Sequence, residues 1–411
     1  MASPVEIMAP VGSRESLAAA MQAGCNSIYF GIEQLNMRAR SSTNFTLEDL
    51  EEVASLCTSK GVKTYITLNT IMYDHDMNLM RTIINRAKES GITAVIASDH
   101  AVMAYARQVG MPVHISTQAN VTNVETVSFY AAFADVMVLS RELSLTQVKH
   151  ITREIARQNI TGPSGNLIRI EVFAHGALCM AVSGKCYLSL HSNNSSANRG
   201  ACIQNCRKSY IVTDKEEGTE LEIDNEYIMS AKDLCTIDFL DQMIDAGIEI
   251  LKIEGRGRSA DYVHTTVSCY REAAEAVANG TFSQDKVAYW KQELSKVFNR
   301  GFWDGYYLGR KMGEWNDSYG SKATQRKIFL GRGVKYFSNI GVGEFQLETG
   351  NLKPGDEILI TGPTTGVIKT VVEELRVENG PVSLVEKGDV FSMPLQEKVR
   401  ASDKLYKLES R

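Results

Sequence analysis

The sequence predicts an α/β protein, a parallel (β/α)8 barrel of the TIM type followed by a small all-β barrel. Three observations carry this expectation. Eight short runs rich in Ile and Val recur up to about residue 255, and amphipathic stretches separate most of them. From Lys327 onward the chain changes to short runs punctuated by Gly and Pro at roughly ten-residue intervals.

The candidate strands are, in order, "VEIMAP", "NSIYFG", "KTYITLN", "TAVIASD", "VHISTQAN", "DVMVLSR", "IRIEVFAHG" and "EILKIEG". Parallel neighbours need crossovers, and "TLEDLEEVASLCTSKG" and "NLMRTIINRAKESG" have the helical period to supply them. Several helices stop before the next strand at a glycine suited to a C-cap, as at Gly61, Gly91 and Gly110. An open doubly wound sheet is the alternative, but no glycine-rich dinucleotide loop follows any strand. The seventh repeat is abnormal: an insertion over about residues 176–232 follows "IRIEVFAHG", far longer than a crossover requires. Residues 255–325 read as helical, giving a catalytic domain over residues 1–326 and a β-barrel domain over residues 327–411. Within the latter, "LKPGDEILITGP" and "VEKGDVFSMPL" resemble the second-domain barrel of translation elongation factors, which implies a partner connected with tRNA.

Composition narrows the class. The 411 residues carry a net charge of −5, which argues against indiscriminate binding to nucleic acid but allows local basic patches. One candidate patch is "SKATQRKIFLGRGVK", with Lys322, Arg326, Lys327, Arg332 and Lys335 and no acid among them. No apolar run could span a bilayer, and "MASPVEIMAPVGS" lacks the basic and apolar regions of a signal peptide, so a cytoplasmic protein is expected.

Four of the eight cysteines, Cys179, Cys186, Cys202 and Cys206, fall in the insertion, at the strand end where such barrels place their active sites. A reducing cytosol disfavours disulfides, so the grouping points to metal or catalysis. Only Cys202 and Cys206 have the tight spacing of a zinc-ligand pair; thiolate softness leaves zinc and iron–sulfur both open. Cys235 is a further candidate that either replaces one of the four or is a buried helix residue.

"EVFAHGALCMAVSGKCYLS" resembles the signature of the collagenase-like peptidase family of unassigned catalytic type. "APVGS", "HISTQAN", "VLSRELSL", "NRGACIQNCRKSY", "MSAKDL" and "LKIEGR" follow that family's order. The sequence is most similar to its prephenate-dependent tRNA uridine hydroxylases, which make 5-hydroxyuridine without molecular oxygen; other branches hydroxylate rRNA or a quinone precursor. The resemblance implies that Cys179, Cys186, Cys202 and Cys206 ligate a 4Fe–4S cluster, with prephenate as co-substrate and tRNA as partner, supplied by an electron-donor protein. It also leaves peptidase activity, from the family's name, as the alternative. No H-E-x-x-H or G-x-S-x-G occurs, although His175 lies four residues before Cys179.

Polar residues recur at the strand ends. His175, Glu171, Asp99, Gln118 and Glu254 are the catalytic candidates, His175 for proton transfer beside the cluster. A dicarboxylate calls for fixed cations, and Arg forks suit carboxylates best. Arg141 and Arg256 are the first choices, then Arg38 and Arg40, with Asn69, Asn120 and Lys252 completing the substrate set. A uridine flipped into the barrel mouth would have its phosphates held by Lys185, Arg199, Arg207, Lys208 and the basic linker at Lys322, Arg326 and Lys327.

Overall fold

The computed structural model describes residues 5–39, 43–208, 229–309, 313–316 and 320–411. Strands β1 (Glu6–Pro10), β2 (Ser27–Phe30), β3 (Lys63–Leu68), β4 (Ala94–Ala97), β5 (Val113–Ile115), β6 (Val136–Val138) and β7 (Arg169–Ala177) pair in parallel in chain order. A three-residue strand, β8 (Asp233–Cys235), lies outside this ring, and β9 (Ile250–Ile253) pairs in parallel with both β7 and β1, closing the barrel. All eight expected strands are present, in the expected topology.

Helices α1 (Arg14–Gln22), α2 (Asp49–Thr58), α3 (Met77–Glu89), α4 (His100–Val109), α5 (Val124–Tyr130) and α6 (Leu145–Gln158) form the outer shell, and their starts are written in the sequence. Ser13 and Ser144 close capping boxes, and Asp99 and Asn123 accept from the first-turn amides. Gly61, Gly91 and Gly110 all adopt positive φ just beyond helix ends, which a Cβ would strain. The apolar faces pack on the strands in one continuous core, while Met8, Tyr29, Tyr65, Ala94, Ile96, Val136 and Ile250 form a separate apolar group contributed by the barrel strands.

β7 is the irregular member. Its first half pairs with β6 and β9, whereas His175–Ala177 turns to pair antiparallel with β8. The register against β9 shifts between Phe173 and His175. Beyond β7 come α7 (Leu188–Asn193) and short 3-10 turns, then α8 (Leu240–Asp245) before β9, and α9 (Ala260–Ala278) and α10 (Gln284–Lys296) after it. A short β10 (Phe302–Trp303) joins β8 on its free side. Cys235 sits in β8 rather than in a helix; it is buried and does not line the cavity described below.

From Gln325 to Ser410 the chain forms an eight-stranded antiparallel sheet and a two-stranded ribbon around their own apolar core. This unit is fastened to α1 and α9. The Gln22 amide exchanges two 2.9 Å hydrogen bonds with the backbone of Val367, and Lys327 pairs with Asp261 at 2.6 Å. Ala19, Ala260, Leu359 and Val367 pack between them.

Three of the basic linker's five cations, Arg326, Lys327 and Arg332, are paired with acids, while Lys335 stays exposed. Arg326 pairs with Glu409 at 2.7 Å, Lys327 with Asp261, and Lys322 is engaged as well. Its acids come from distant parts of the chain, which the local sequence conceals. Lys327→Ala is expected to lower stability by about 1 kcal/mol in urea unfolding.

Candidate active site at the barrel mouth

A cavity of about 270 Å³ opens at the C-terminal ends of the strands. Met37 and Arg38 reach it after β2, Asn69 after β3, Gln118 after β5, Arg141 after β6, and Glu254, Arg256 and Arg258 after β9. The insertion after β7 supplies one wall, which carries Cys179, Cys186, Cys202 and Cys206 together. All four are free thiols. Burial pushes the Cys206 thiol up; Arg207 opposes this, and charges on Cys179, Cys202 and Cys186 add to it, as expected of near neighbours.

The insertion is seated by specific contacts. Arg207 donates to the carbonyls of Leu178 and Ala231, both at 2.7 Å, pinning the two ends of the loop together. Arg199 donates to Asp76 and to the Ile71 carbonyl and stacks 4.3 Å from the Tyr73 ring centroid. Asn120 donates to Ser183 O at 3.3 Å. At Gly200, φ +81, a Cβ would stand 2.3 Å from Asn36 O, so only glycine lets the loop approach the segment that carries Arg38. Arg199 and Arg207, expected to face RNA phosphates, are instead internal clamps, because each finds acceptors within the fold. Asn120 likewise ties the loop down rather than lining the cavity. Lys185 and Lys208 are exposed, as expected.

The cavity is cationic. Arg38, Arg141, Arg207, Lys252, Arg256, Arg258 and Arg300 all line it, and among the described residues Glu254 is the one carboxylate in the lining. Arg38 pairs with Glu254 at 2.8 Å, Arg300 with Asp233 at 3.3 Å and Lys252 with Glu171 at 2.7 Å. The hydrogen bonds of Arg256 go to Thr67 (2.8 Å) and Asn36 (3.1 Å), neither charged. Arg141 lies 4.0 Å over Phe173, and Arg258 lies 3.6 Å over Phe298. Among the described residues the buried Nε atoms of Arg141 and Arg256 find no hydrogen-bond partner. Burial pushes Arg256 down to about 10, since nothing anionic fully offsets its desolvation. Burial opposes ionisation of Glu254 too, yet Arg38, Arg256 and Arg141 hold it down at about 2. Guanidiniums buried without full compensation call for an added anion.

Three expected catalytic residues stand elsewhere. Asp99 caps α4 through Ala101 N and also accepts from Met72 N, so both its oxygens are spent on backbone. Glu171 is wholly buried and does not line the cavity; it holds Lys252, with His114 3.5 Å from its other oxygen. His175 misses the cavity because the register shift in β7 re-aims it. It lies among Tyr262, Tyr270 and Phe302, its Nδ1 3.4 Å from the Tyr270 hydroxyl. Arg40 lies outside the described residues. Arg258, Arg300, Tyr29 and Thr67 line the cavity without having been singled out; "GRGRS", continuing "LKIEGR", signalled Arg258, and Arg300 had no signal of its own.

Burial pushes His175 down to about 3, with Arg258 adding to the effect, so it stays neutral. Its folded value lies below its unfolded one, hence the unfolded chain takes up the proton first on acidification. Stability is expected to fall by about 1.4 kcal/mol per pH unit from about pH 6.5 toward 3 on this account. Urea unfolding across that range should show a shallower slope for His175→Phe.

Among the described residues no group of three or more His, Cys, Asp or Glu is arranged to hold one metal ion. A single zinc would require thiolates about 2.3 Å from a common centre. A 4Fe–4S cluster gives each cysteine its own iron and takes four thiolates. The donor set of four thiols with no imidazole in the lining fits that group.

Fold and site thus define a TIM-type barrel whose mouth joins four thiols to a cationic cavity. The chain belongs to peptidase family U32, whose family model matches residues 12–317. A relative from Porphyromonas gingivalis named collagenase is 59% identical over 406 residues, covering 99% of this chain and 98% of its own. An uncharacterized protease of Methanocaldococcus jannaschii is 36% identical over 411 residues, covering 98% of each chain. A tRNA hydroxylation protein, P1, of Bacillus subtilis is 30% identical over 410 residues, covering 98% of this chain and 93% of its own. Among the described residues no helix is long and apolar enough to cross a membrane.

Proposed function

We propose that this protein is a tRNA-modifying oxidoreductase that hydroxylates a wobble uridine to 5-hydroxyuridine without molecular oxygen. The observation that carries the reading is the shared cavity, where four thiols face seven cations. Cys179, Cys186, Cys202 and Cys206 would hold a 4Fe–4S cluster, which supplies one-electron transfer when bound. Arg141, Arg256 and Arg258, lacking the close carboxylate partners of Arg38, Arg300 and Lys252, bind the carboxylates of a small dicarboxylate such as prephenate. Tyr29 and Phe173 supply flat walls that hold the cations in place and exclude water. Gln118 and Asn69, polar and in the lining, would hydrogen-bond a base turned out of its stack. The tRNA hydroxylation relative supports the substrate class.

The collagenase-named relative raises a peptidase as the other reading. A cysteine peptidase needs an imidazole beside its thiolate, and no histidine stands among the cavity-lining residues. Nucleoside mass spectrometry of tRNA from a deletion strain tests the proposal. Loss of 5-hydroxyuridine, restored by the gene, is the expected result; an unchanged nucleoside profile would sink it.

A further inference from the structure

Lys252 stands apart from the other cations of the cavity. Among the described residues it is the one primary amine in the lining, and the remaining six cations are arginines. A guanidinium keeps its protons, whereas an amine can give one up and attack carbon. The direction of Lys252 follows from β9. Leu251 and Ile253 join the core under the helices and Ile250 the apolar group inside the barrel, so Lys252 points inward as well. Its side chain is 5% exposed, and Nζ lies 4.5 Å from the Tyr29 ring centroid and 5.6 Å from that of Phe173. The same two rings carry Arg256, at 5.8 Å, and Arg141, at 4.0 Å. The amine therefore shares its walls with the two guanidiniums whose Nε atoms find no partner among the described residues.

Behind the amine stands a proton acceptor. Glu171 Oε1 is 2.7 Å from Nζ, and its Oε2 lies 3.5 Å from His114 Nδ1. Both Oε2 and Nδ1 are buried without a hydrogen-bond partner among the described residues. The interior of such a barrel is ordinarily filled by apolar side chains, and a buried ion pair often stabilises no more than they do. Folding alone does not ask for this triad. A proton passing from Nζ to Glu171 along the existing contact turns the ion pair into amine and acid and moves no net charge. The acid then has an acceptor in Nδ1 when His114 carries its hydrogen on Nε2.

We infer that Lys252 is a covalent anchor for a small carboxylate that also bears a ketone, which it captures as an imine. This rests on the proposed small-carboxylate site and names the second functional group that such a substrate carries. Arg141 and Arg256 take the carboxylate, and Nζ attacks the carbonyl carbon. Two of the three ammonium protons leave with the carbonyl oxygen as water, the first by way of Glu171. The third stays on nitrogen, and the resulting iminium keeps the positive charge opposite Glu171. No oxidant or reductant is consumed. The iminium draws electrons from the adjoining carbons, which prepares a bond there to break.

The test uses the full chain, purified anaerobically, with pyruvate as the probe and cyanoborohydride to fix any imine as a secondary amine. Peptide mass spectrometry then finds which lysines carry a 1-carboxyethyl group. Lys252 is expected to be labelled at least about tenfold faster than exposed lysines such as Lys60 and Lys387. Propionate, which has the carboxylate and lacks the ketone, should slow labelling of Lys252 and leave the exposed lysines unaffected. Glu171→Gln should slow it too; the parent's peptide map decides the matter if that variant does not fold. Labelling of Lys252 no faster than that of Lys60, labelling unmoved by propionate, or a folded Glu171→Gln labelled as fast as the parent each overturns the inference, while the tRNA test of the hydroxylase stands by itself. Labelling of Lys252 in a protein whose deletion leaves the tRNA nucleosides unchanged keeps the anchor and removes the hydroxylase.

Discussion

Serine in place of any one of Cys179, Cys186, Cys202 or Cys206 is expected to strip iron from anaerobically purified protein and to lower hydroxylation by more than about 100-fold. Changes one shell further out from a metal typically cost 10–100-fold, and loss of a ligand exceeds that. Serine keeps nearly the same volume but replaces a soft thiolate with a hydroxyl that stays protonated near neutral pH. The controls are built into the chain. Cys25, Cys57, Cys235 and Cys269 are buried, and burial pushes their thiols well up. Serine at any of these should leave iron content and visible absorbance in place. Iron and sulfide analysis of the eight single variants therefore separates two sets of four. Equal iron in all eight would dismiss the assignment of the ligands, whatever the activity.

The same contrast shows what was legible in the sequence. Strand order was legible because buried parallel strands are nearly continuous apolar runs, and helix starts because Ser13, Asp99, Asn123 and Ser144 cap locally. The four thiols were legible because the stretch that carries them is a single insertion at one strand end. Arg141, Arg256, Arg38, Gln118, Asn69, Lys252 and Glu254 reach the cavity because position at a strand's C-terminal end largely fixes direction. Direction failed where a local irregularity intervened: one register shift in β7 turns His175 aside. Partners failed more often, since they come from remote sequence. Asp76 claims Arg199, Glu409 claims Arg326 and Asp261 claims Lys327, and none of these pairings has a local signature. Charge excess in a short window is therefore weak evidence for a binding surface, whereas the cavity's excess is counted after folding.

Lys252→Met is expected to lower stability by about 3–5 kcal/mol and to flatten its fall on acidification. Glu171 has no exposed surface, and its carboxylate pairs with Lys252 Nζ at 2.7 Å. Burial opposes its ionisation, but Lys252 and His114 together hold it below the ordinary carboxylate range. A folded-state value below the unfolded one contributes stability at neutral pH and loses it as pH falls through the acid range. Removing the ammonium leaves burial dominant, so Glu171 moves above its ordinary range and takes up a proton on folding. The Glu171 contribution should then rise as pH is lowered from neutral and offset the fall that buried His175 still imposes, so the variant's stability changes less with pH than the parent's. Methionine fills much of the vacated space between Tyr29 and Phe173, so lost volume cannot produce that change in slope. The double variant Lys252→Met with Glu171→Leu removes both charges and should recover much of the loss, since a buried pair often contributes little beyond an apolar replacement. Urea unfolding at several pH values on the two variants decides the point. A Lys252→Met protein whose stability still falls on acidification as the parent's does would show that Glu171 draws its charge compensation from elsewhere, with His114 the first group to replace.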